Sequence, residues 1–491
     1  MSLHFASRED LFIFQNPVVY AHTDCGYCHG SKPDKKYGFS LESFRSHRSR
    51  LISVDYPRSV TIGVPISVIS CERYERFLNL GYRRSGTFLY KMDALRGCCR
   101  MYPIRTNLDR IKLNKDHRHT VNRFTKRVLG TEIATKHNRP FSLDGLIEAE
   151  SECSASRFHT IIEPADFSEE KFKLYCKYQI QVHKDKESDL STKSFTRFLC
   201  KAPFRTENID YVALNNWRKG GNIDQLRKMK GAIHECYYID DQLVAVAVLD
   251  LLPNSVSSVY FIWDPAYASL GLGTLSALRE ALFTQRCGKQ WYMMGYYIAD
   301  CVKMKYKGKF GGEIWDQCSS QWVELAKVNH LIDDGRLCVF FSPEKEIPSR
   351  ELPMKPSTAS HEAKYYDIAE TIYSTNGVAY KDALRVLETL GEINGLEDYF
   401  EENEFNLFDQ KVVSEVYSSD VLPRVCPGLT PLWQIKELID SKALENIEDC
   451  QRNPFVQPGL SLSKCNPDET KQVVDFVRLF GIDELKDILF V

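Results

Sequence analysis

The chain has no long apolar run, almost no net charge and no recognisable secretory leader. A membrane-spanning helix needs roughly 18 or more consecutive apolar residues, and no stretch of the 491 reaches that length. A membrane role is therefore not expected. Lysine and arginine number 64 against 66 acids, a net charge of −2. No global field favours nucleic acid, so any nucleic-acid site has to come from a local excess of charge. Met1-Ser2-Leu3-His4-Phe5 leads into mixed polar residues, not into a basic segment and an apolar core, so secretion is not expected. Internal repeats and low-complexity tracts are also lacking.

What is present is ordinary globular material, 43% hydrophobic and 12% aromatic, long enough for two to four domains. Sixteen cysteines without a leader point to a reducing compartment, the cytosol or nucleus, with thiols reduced or metal-bound. Two cysteine pairs stand out. Cys25-Gly26-Tyr27-Cys28 is a CxxC bend, which aims two thiolates at one point. Cys98 and Cys99 are adjacent and could complete a four-sulfur site for zinc or an iron–sulfur cluster. The alternative is a set of buried, inert thiols. A thioredoxin-type redox motif fits less well, because it should follow a strand and open a helix. This one sits in a loop punctuated by glycine and proline.

The pattern divides the chain into residues 1–139, a cysteine-bearing module with a basic segment; 140–340, a catalytic core; and 341–491, a helical accessory region. Val60–Ile66 reads as a strand, and Ser70 caps a helix from Cys71 to Leu80. Phe88–Lys91 and Cys99–Ile104 read as strands either side of the second cysteine pair. Residues 105–139 hold ten lysines and arginines against three acids, a local net of +7. This is a phosphate-binding surface, with Lys126 and Arg127 as candidates, or a solvated helix and linker.

Cys236–Ile239, Leu243–Asp250 and Ser257–Trp263 read as strands, and Asp264-Pro265 stops the third. Gly271-Leu272-Gly273 opens a helix, and Gln290–Tyr297 is a fourth strand. That order is the order of a GNAT-type acyltransferase core, in an α/β (α+β) fold. A helix N-terminus there can face an anionic donor. Enzymes that use acetyl-CoA place a polar residue three before the first glycine, where this chain has Ala268. Coenzyme A is not expected. Beyond the fourth strand, Tyr296, Tyr297, Lys303, Lys305, Tyr306 and Lys307 crowd one short segment. They suit base stacking and phosphate or carboxylate binding, or else a tyrosine-rich sheet edge with a solvated loop.

These segments together resemble the arginyl-tRNA–protein transferases, and in detail a fungal member. The matching residues run in order. Cys25–Cys28 is followed by Gly81-Tyr82-Arg83-Arg84-Ser85-Gly86 and Cys98-Cys99-Arg100. Lys193-Ser194-Phe195, His234-Glu235-Cys236-Tyr237 and Ser257 to Pro265 come next, then Gly295-Tyr296-Tyr297 through Lys303-Met304 to Lys307. The likeness covers about residues 20–330 and fades beyond residue 340. It implies two GNAT-like lobes and an N-terminal cysteine element, with zinc favoured over a cluster. It also implies transfer of arginine from the 3′ ester of arginyl-tRNA to N-terminal Asp or Glu of proteins, which marks them for a ubiquitin ligase of the N-degron pathway.

The implied roles are as follows. Arg83 and Arg84, or Lys303 and Lys305, would read the acceptor's carboxylate. Glu235, Asp250 and Asp264 would form the pocket for the donor's guanidinium, although Asp264 could simply end its strand. Tyr296 and Tyr297 would orient the ester or be core aromatics. His234 would accept the amine proton or be structural. Lys126, Arg127 and Lys307 would hold tRNA. The nearest alternatives are a leucyl-tRNA–protein transferase and a non-catalytic, zinc-bearing tRNA-binding protein.

Overall fold

The computed structural model describes residues 12–22, 25–28, 59–136, 142–333, 335–341, 365–373, 377–397, 416–448, 450–451, 459–486 and 488–490. Arg139, the last residue of the basic segment, lies outside these residues. The fold is α+β, with two eight-stranded sheets.

The first sheet runs Val416–Ser419, Val18–His22, Ser59–Val68, Phe12–Phe14, Ile488–Phe490, Cys450–Gln451. Phe88–Met92 also pairs with Ser59–Val68, and Arg83–Ser85 pairs with Phe88–Met92. The long strand Ser59–Val68 serves two neighbours: Ser59–Gly63 pairs with Val18–His22, while Ile66 and Val68 pair with Phe12–Phe14. Phe12, Phe77, Phe476 and Phe480 pack beneath it, with the rings of Phe77 and Phe480 stacked 4.4 Å apart. Ser70 caps the helix Cys71–Asn79 as its position predicts, its hydroxyl accepting from Arg73 N at 3.0 Å.

The second sheet runs Gln321–Glu324, Glu313–Asp316, Tyr102–Thr106, Trp291–Tyr297, Ser255–Trp263, Gln242–Leu251, Gly231–Ile239, Phe158–Pro164. Asp240 and Asp241 both take positive φ, 49° and 59°, and join two of these strands in a two-residue hairpin. That backbone twist matches the twist of the strands it joins. The helix Leu272–Arg286 covers one face and buries nearly its whole length.

The sheets interleave along the chain and do not change over at residues 139 and 340. Tyr102–Thr106 crosses from the cysteine-bearing segment into the second sheet. Strands beyond residue 415 complete the first. The expected strand from Cys99 begins only at Tyr102, because the chain bends at Cys98 and Cys99 and buries Arg100 before it extends. A buried ion pair clamps the sheets together: Arg84 meets Asp250 at 2.6 and 2.7 Å. Asp250→Ala is expected to cost about 3–5 kcal/mol, because it strands the Arg84 guanidinium in the interior. Denaturant melts test this, and unchanged stability would contradict the clamp.

Candidate active site: a cysteine cluster beside two diverging strands

Strands Ser255–Trp263 and Trp291–Tyr297 run parallel but pair only from Ser255↔Trp291 to Ser257↔Met293. Beyond that point they separate. Each carries an irregularity where they part. The register against Gln242–Leu251 shifts between Ser258 and Tyr260, and that against Tyr102–Thr106 shifts between Met293 and Tyr296. Bulges of this kind bend a strand and re-aim its groups. Gly295 takes φ +77° there, a conformation that glycine adopts without a Cβ penalty.

Tyr178, Tyr260, Trp263 and Phe198 cluster on one side of the opening, with ring centroids 5.0–6.2 Å apart. Tyr90 and Tyr296 lie on the other, 6.4 Å apart. Tyr27, from the CxxC bend, lies close enough to Tyr260 and Tyr296 to oppose the ionisation of both, behind the larger effect of burial. The bend therefore places an aromatic ring in the opening.

Two cations enter the same place. Arg83 donates from Nη2 to Gly295 O at 3.2 Å and from Nη1 to Tyr82 O at 2.5 Å and Leu78 O at 3.1 Å. Its guanidinium lies 5.5 Å from the Tyr296 ring centroid. Lys307 Nζ donates to the next carbonyl, Tyr296 O, at 3.1 Å. Among the described residues, no carboxylate lies within ion-pair distance of either. Burial, then the Arg83 charge, draws Lys307 down to about 7. Arg84, one residue on, faces the other side of its strand and is neutralised by Asp250. Lys303 and Lys305 are exposed on a short helix, with Lys303 donating to Val182 O at 3.2 Å.

The acids expected to bind a guanidinium are already paired. Glu235 is buried against Arg279 at 3.0 Å and Thr160 at 2.9 Å. Asp250 holds Arg84, and Asp264 holds Lys177 at 2.7 Å while accepting from Ala266 N. His234 is fully buried. Its Nε2 donates to Leu199 O at 3.0 Å, and its Nδ1 accepts from Lys171 at 3.1 Å. Burial, then Lys171, lowers it to about 4, so the ring is neutral. Tyr297 is buried, its hydroxyl donating to Asn329 at 3.1 Å.

The sequence reading missed a carboxylate at the rim of the opening. Gln179 accepts from the Tyr260 hydroxyl at 2.9 Å and donates to Asp185 at 2.8 Å. Asp185 is half-buried and has no ion-pair partner among the described residues. Gln179 opens a π-type turn, Gln179–His183, a local irregularity that periodicity cannot foresee.

Cys25, Cys28, Cys98 and Cys99 converge, with their sulfurs within 4.8 Å of one another and Cys28 and Cys98 3.5 Å apart. Metal–sulfur bonds of about 2.3 Å give a tetrahedron with edges of about 3.8 Å, so this set fits one ion. Hydrogen bonds from Cys98 and Cys99 hold the Cys25 thiol well below its usual range. The cluster packs against Met92, Met101, Tyr296 and Ile298.

The basic segment forms the helix Lys115–Phe124 and a turn to Leu129. Lys126 and Arg127 are exposed, and Arg127 donates to Ser269 at 3.3 Å. Arg123 and Thr120 press on Gly271, at the N-terminus of Leu272–Arg286, where a Cβ would sit 3.1 Å from each. Cations thus reach this turn from another element, although Ala268 supplies none.

Two family models match: "Arginine-tRNA-protein transferase, N terminus" over residues 23–119 and "Arginine-tRNA-protein transferase, C terminus" over 170–316. Arginyl-tRNA–protein transferase 1 of Saccharomyces cerevisiae is 34% identical over 96% of this chain and 97% of its own length. Arginyl-tRNA–protein transferase 2 of Arabidopsis thaliana is 33% identical over 41% of this chain and 34% of its own length. An aspartate/glutamate leucyltransferase of Vibrio cholerae is 47% identical, over 15% of this chain and 31% of its own. Matched along almost its full length at this identity, the chain belongs to the arginyl-tRNA–protein transferase family.

Proposed function

We propose that the protein transfers arginine from the 3′ ester of arginyl-tRNA to the α-amino group of proteins that begin with Asp or Glu. One observation carries the acidic acceptor: Arg83 and Lys307 enter one opening with no carboxylate partner among the described residues. Arg83 reads the acceptor's carboxylate there. Lys303 and Lys305, at the exposed rim, add long-range attraction.

The opening between the diverging strands is read as the cleft of a GNAT-type core, with the first sheet as a second lobe of the same kind. The donor is an aminoacyl ester, already activated, and coenzyme A has no part. Aminolysis then needs proximity and stabilisation of the oxyanion more than bond activation. Asp185 takes the donor's guanidinium, flanked by Tyr260 and held in place by Gln179. A leucyl donor would leave this carboxylate facing a methyl group. Tyr296 shapes the opening through its ring.

Lys126, Arg127 and the Gly271 turn hold tRNA phosphates. Lys126→Glu with Arg127→Glu is expected to weaken tRNA binding at least tenfold at 50 mM salt and to flatten its salt dependence. Fluorescence titrations check this, and an unchanged slope would remove the surface. At the four cysteines, zinc is favoured over an iron–sulfur cluster because the sulfurs suit a single tetrahedral ion. It would cross-link the CxxC bend to the chain at Cys98. The products enter the N-degron pathway through a ubiquitin ligase, in the cytosol or nucleus.

Competition between arginyl- and leucyl-tRNA for one Asp-starting peptide tests the donor. Arginine is expected to dominate, and equal use of leucine would overturn the Asp185 assignment.

A further inference from the structure

We infer that Lys307 is the group that takes the proton from the acceptor's α-ammonium and delivers one to the departing ribose 3′ oxygen. The inference rests on the reaction proposed above and assigns its proton path. Three observations place Lys307 in this role.

First, it lies where the two parallel strands part, bonded to Tyr296 O at the bulge itself. Second, its amine is only partly used. Buried Lys289 donates to three carbonyls, those of Arg227, Met229 and Leu252. Half-buried Lys230 is neutralised by Glu72 and Glu207. Lys307 has one carbonyl and no carboxylate among the described residues, which leaves valence for a substrate amine. Third, Arg83 stands beside it, bonded to the neighbouring carbonyl of Gly295 at 3.2 Å. The cation that binds the acceptor's carboxylate is thus the one that disfavours a second charge on Lys307. A carboxylate held by Arg83 brings its own α-amine towards Lys307.

The groups facing Lys307 come from four elements. Arg83 opposes its protonation, while Cys301 and Glu280 favour it. Glu280 is itself raised by burial, against hydrogen bonds from Ser276 and from Tyr292, at 2.7 Å, that favour its charged form. Tyr296 and Tyr306 are raised by burial and stay neutral. Burial is the largest effect, and the balance sets Lys307 at about 7. A free α-amine has a pKa of about 8, so transfer to Lys307 is a short step in energy.

The protons balance as follows. Neutral Lys307 takes one proton from the α-ammonium. The freed amine attacks the ester carbon, forming the C–N bond. As the C–O bond to ribose breaks, the Lys307 ammonium gives its proton to the 3′ oxygen. Lys307 then takes the second proton from the new amide nitrogen. It returns the net proton to solvent.

The test is the single-turnover rate across pH 5.5–9.5, with arginyl-tRNA and a saturating Asp-starting peptide. Wild-type activity on this peptide reports the reaction, and the Lys307 variants report the step. The wild-type rate should fall about tenfold per pH unit below about pH 7, as protonation of Lys307 removes the base. Lys307→Arg holds a permanent charge and cannot accept a proton. It should lose at least about 100-fold in rate at pH 7 while still folding and binding the peptide. Lys307→Ala should recover part of its rate when ethylamine is added. Near-wild-type turnover by Lys307→Arg, or a Lys307→Ala enzyme that keeps the acid limb and ignores ethylamine, would overturn the assignment.

Discussion

Arg83→Met is expected to cut transfer to Asp-starting peptides by about 100-fold or more, the cost of removing one partner of a buried charge pair. The loss should be specific. With the wild-type enzyme, changing the acceptor Asp to Asn should be nearly as damaging. In Arg83→Met the same change should cost little, because the interaction it removes is already gone. That double-mutant cycle separates carboxylate recognition from structural damage. The separation is needed because Arg83 also donates to the carbonyls of Leu78, Tyr82 and Gly295. Arg83→Lys retains charge and should recover part of the discrimination. Equal Asp-over-Asn preference in wild type and Arg83→Met would contradict the assignment. Arg84→Met makes the contrast, since its partner is Asp250. It should lower stability without changing acceptor preference.

Cys98→Ser, or chelation of the native protein, should abolish metal binding and most activity. Structural zinc sites contribute about 10–16 kcal/mol in small zinc-finger peptides, and even a fraction of that fixes the local chain. Loss of the ion frees the CxxC bend from the chain at Cys98 and removes Tyr27 from the opening beside Tyr260 and Tyr296. The fall should therefore appear in turnover as well as in melting temperature. Metal analysis of native protein should give one zinc per chain. Two or four irons with acid-labile sulfide would contradict the single-ion reading.

The parts legible in the sequence are those set by local chemistry. The Ser70 cap and the four cysteines follow from residue type and spacing. The diverging strands did not, because bulges near Val259 and Gly295 leave little pattern beyond a glycine. Arg83 and Arg84 look alike in sequence. Only the sheet decides that one faces Gly295 and the other Asp250, since neighbours on a strand point opposite ways. Asp185 was hidden for a different reason: it follows a π-type turn, so helical periodicity does not carry it onto a predictable face. The last strands of the first sheet, Cys450–Gln451 and Ile488–Phe490, are too short for alternation to register. A region read as helical and accessory therefore proves to complete that sheet.

The most direct test of the central claim is transfer of labelled arginine from charged tRNA to four peptides that differ only in their first residue: Asp, Glu, Asn or Ala. The account predicts labelling of the Asp and Glu peptides alone, with the label on the α-amino group. Comparable labelling of the Asn or Ala peptide, or none of any peptide by metal-replete protein, would contradict it.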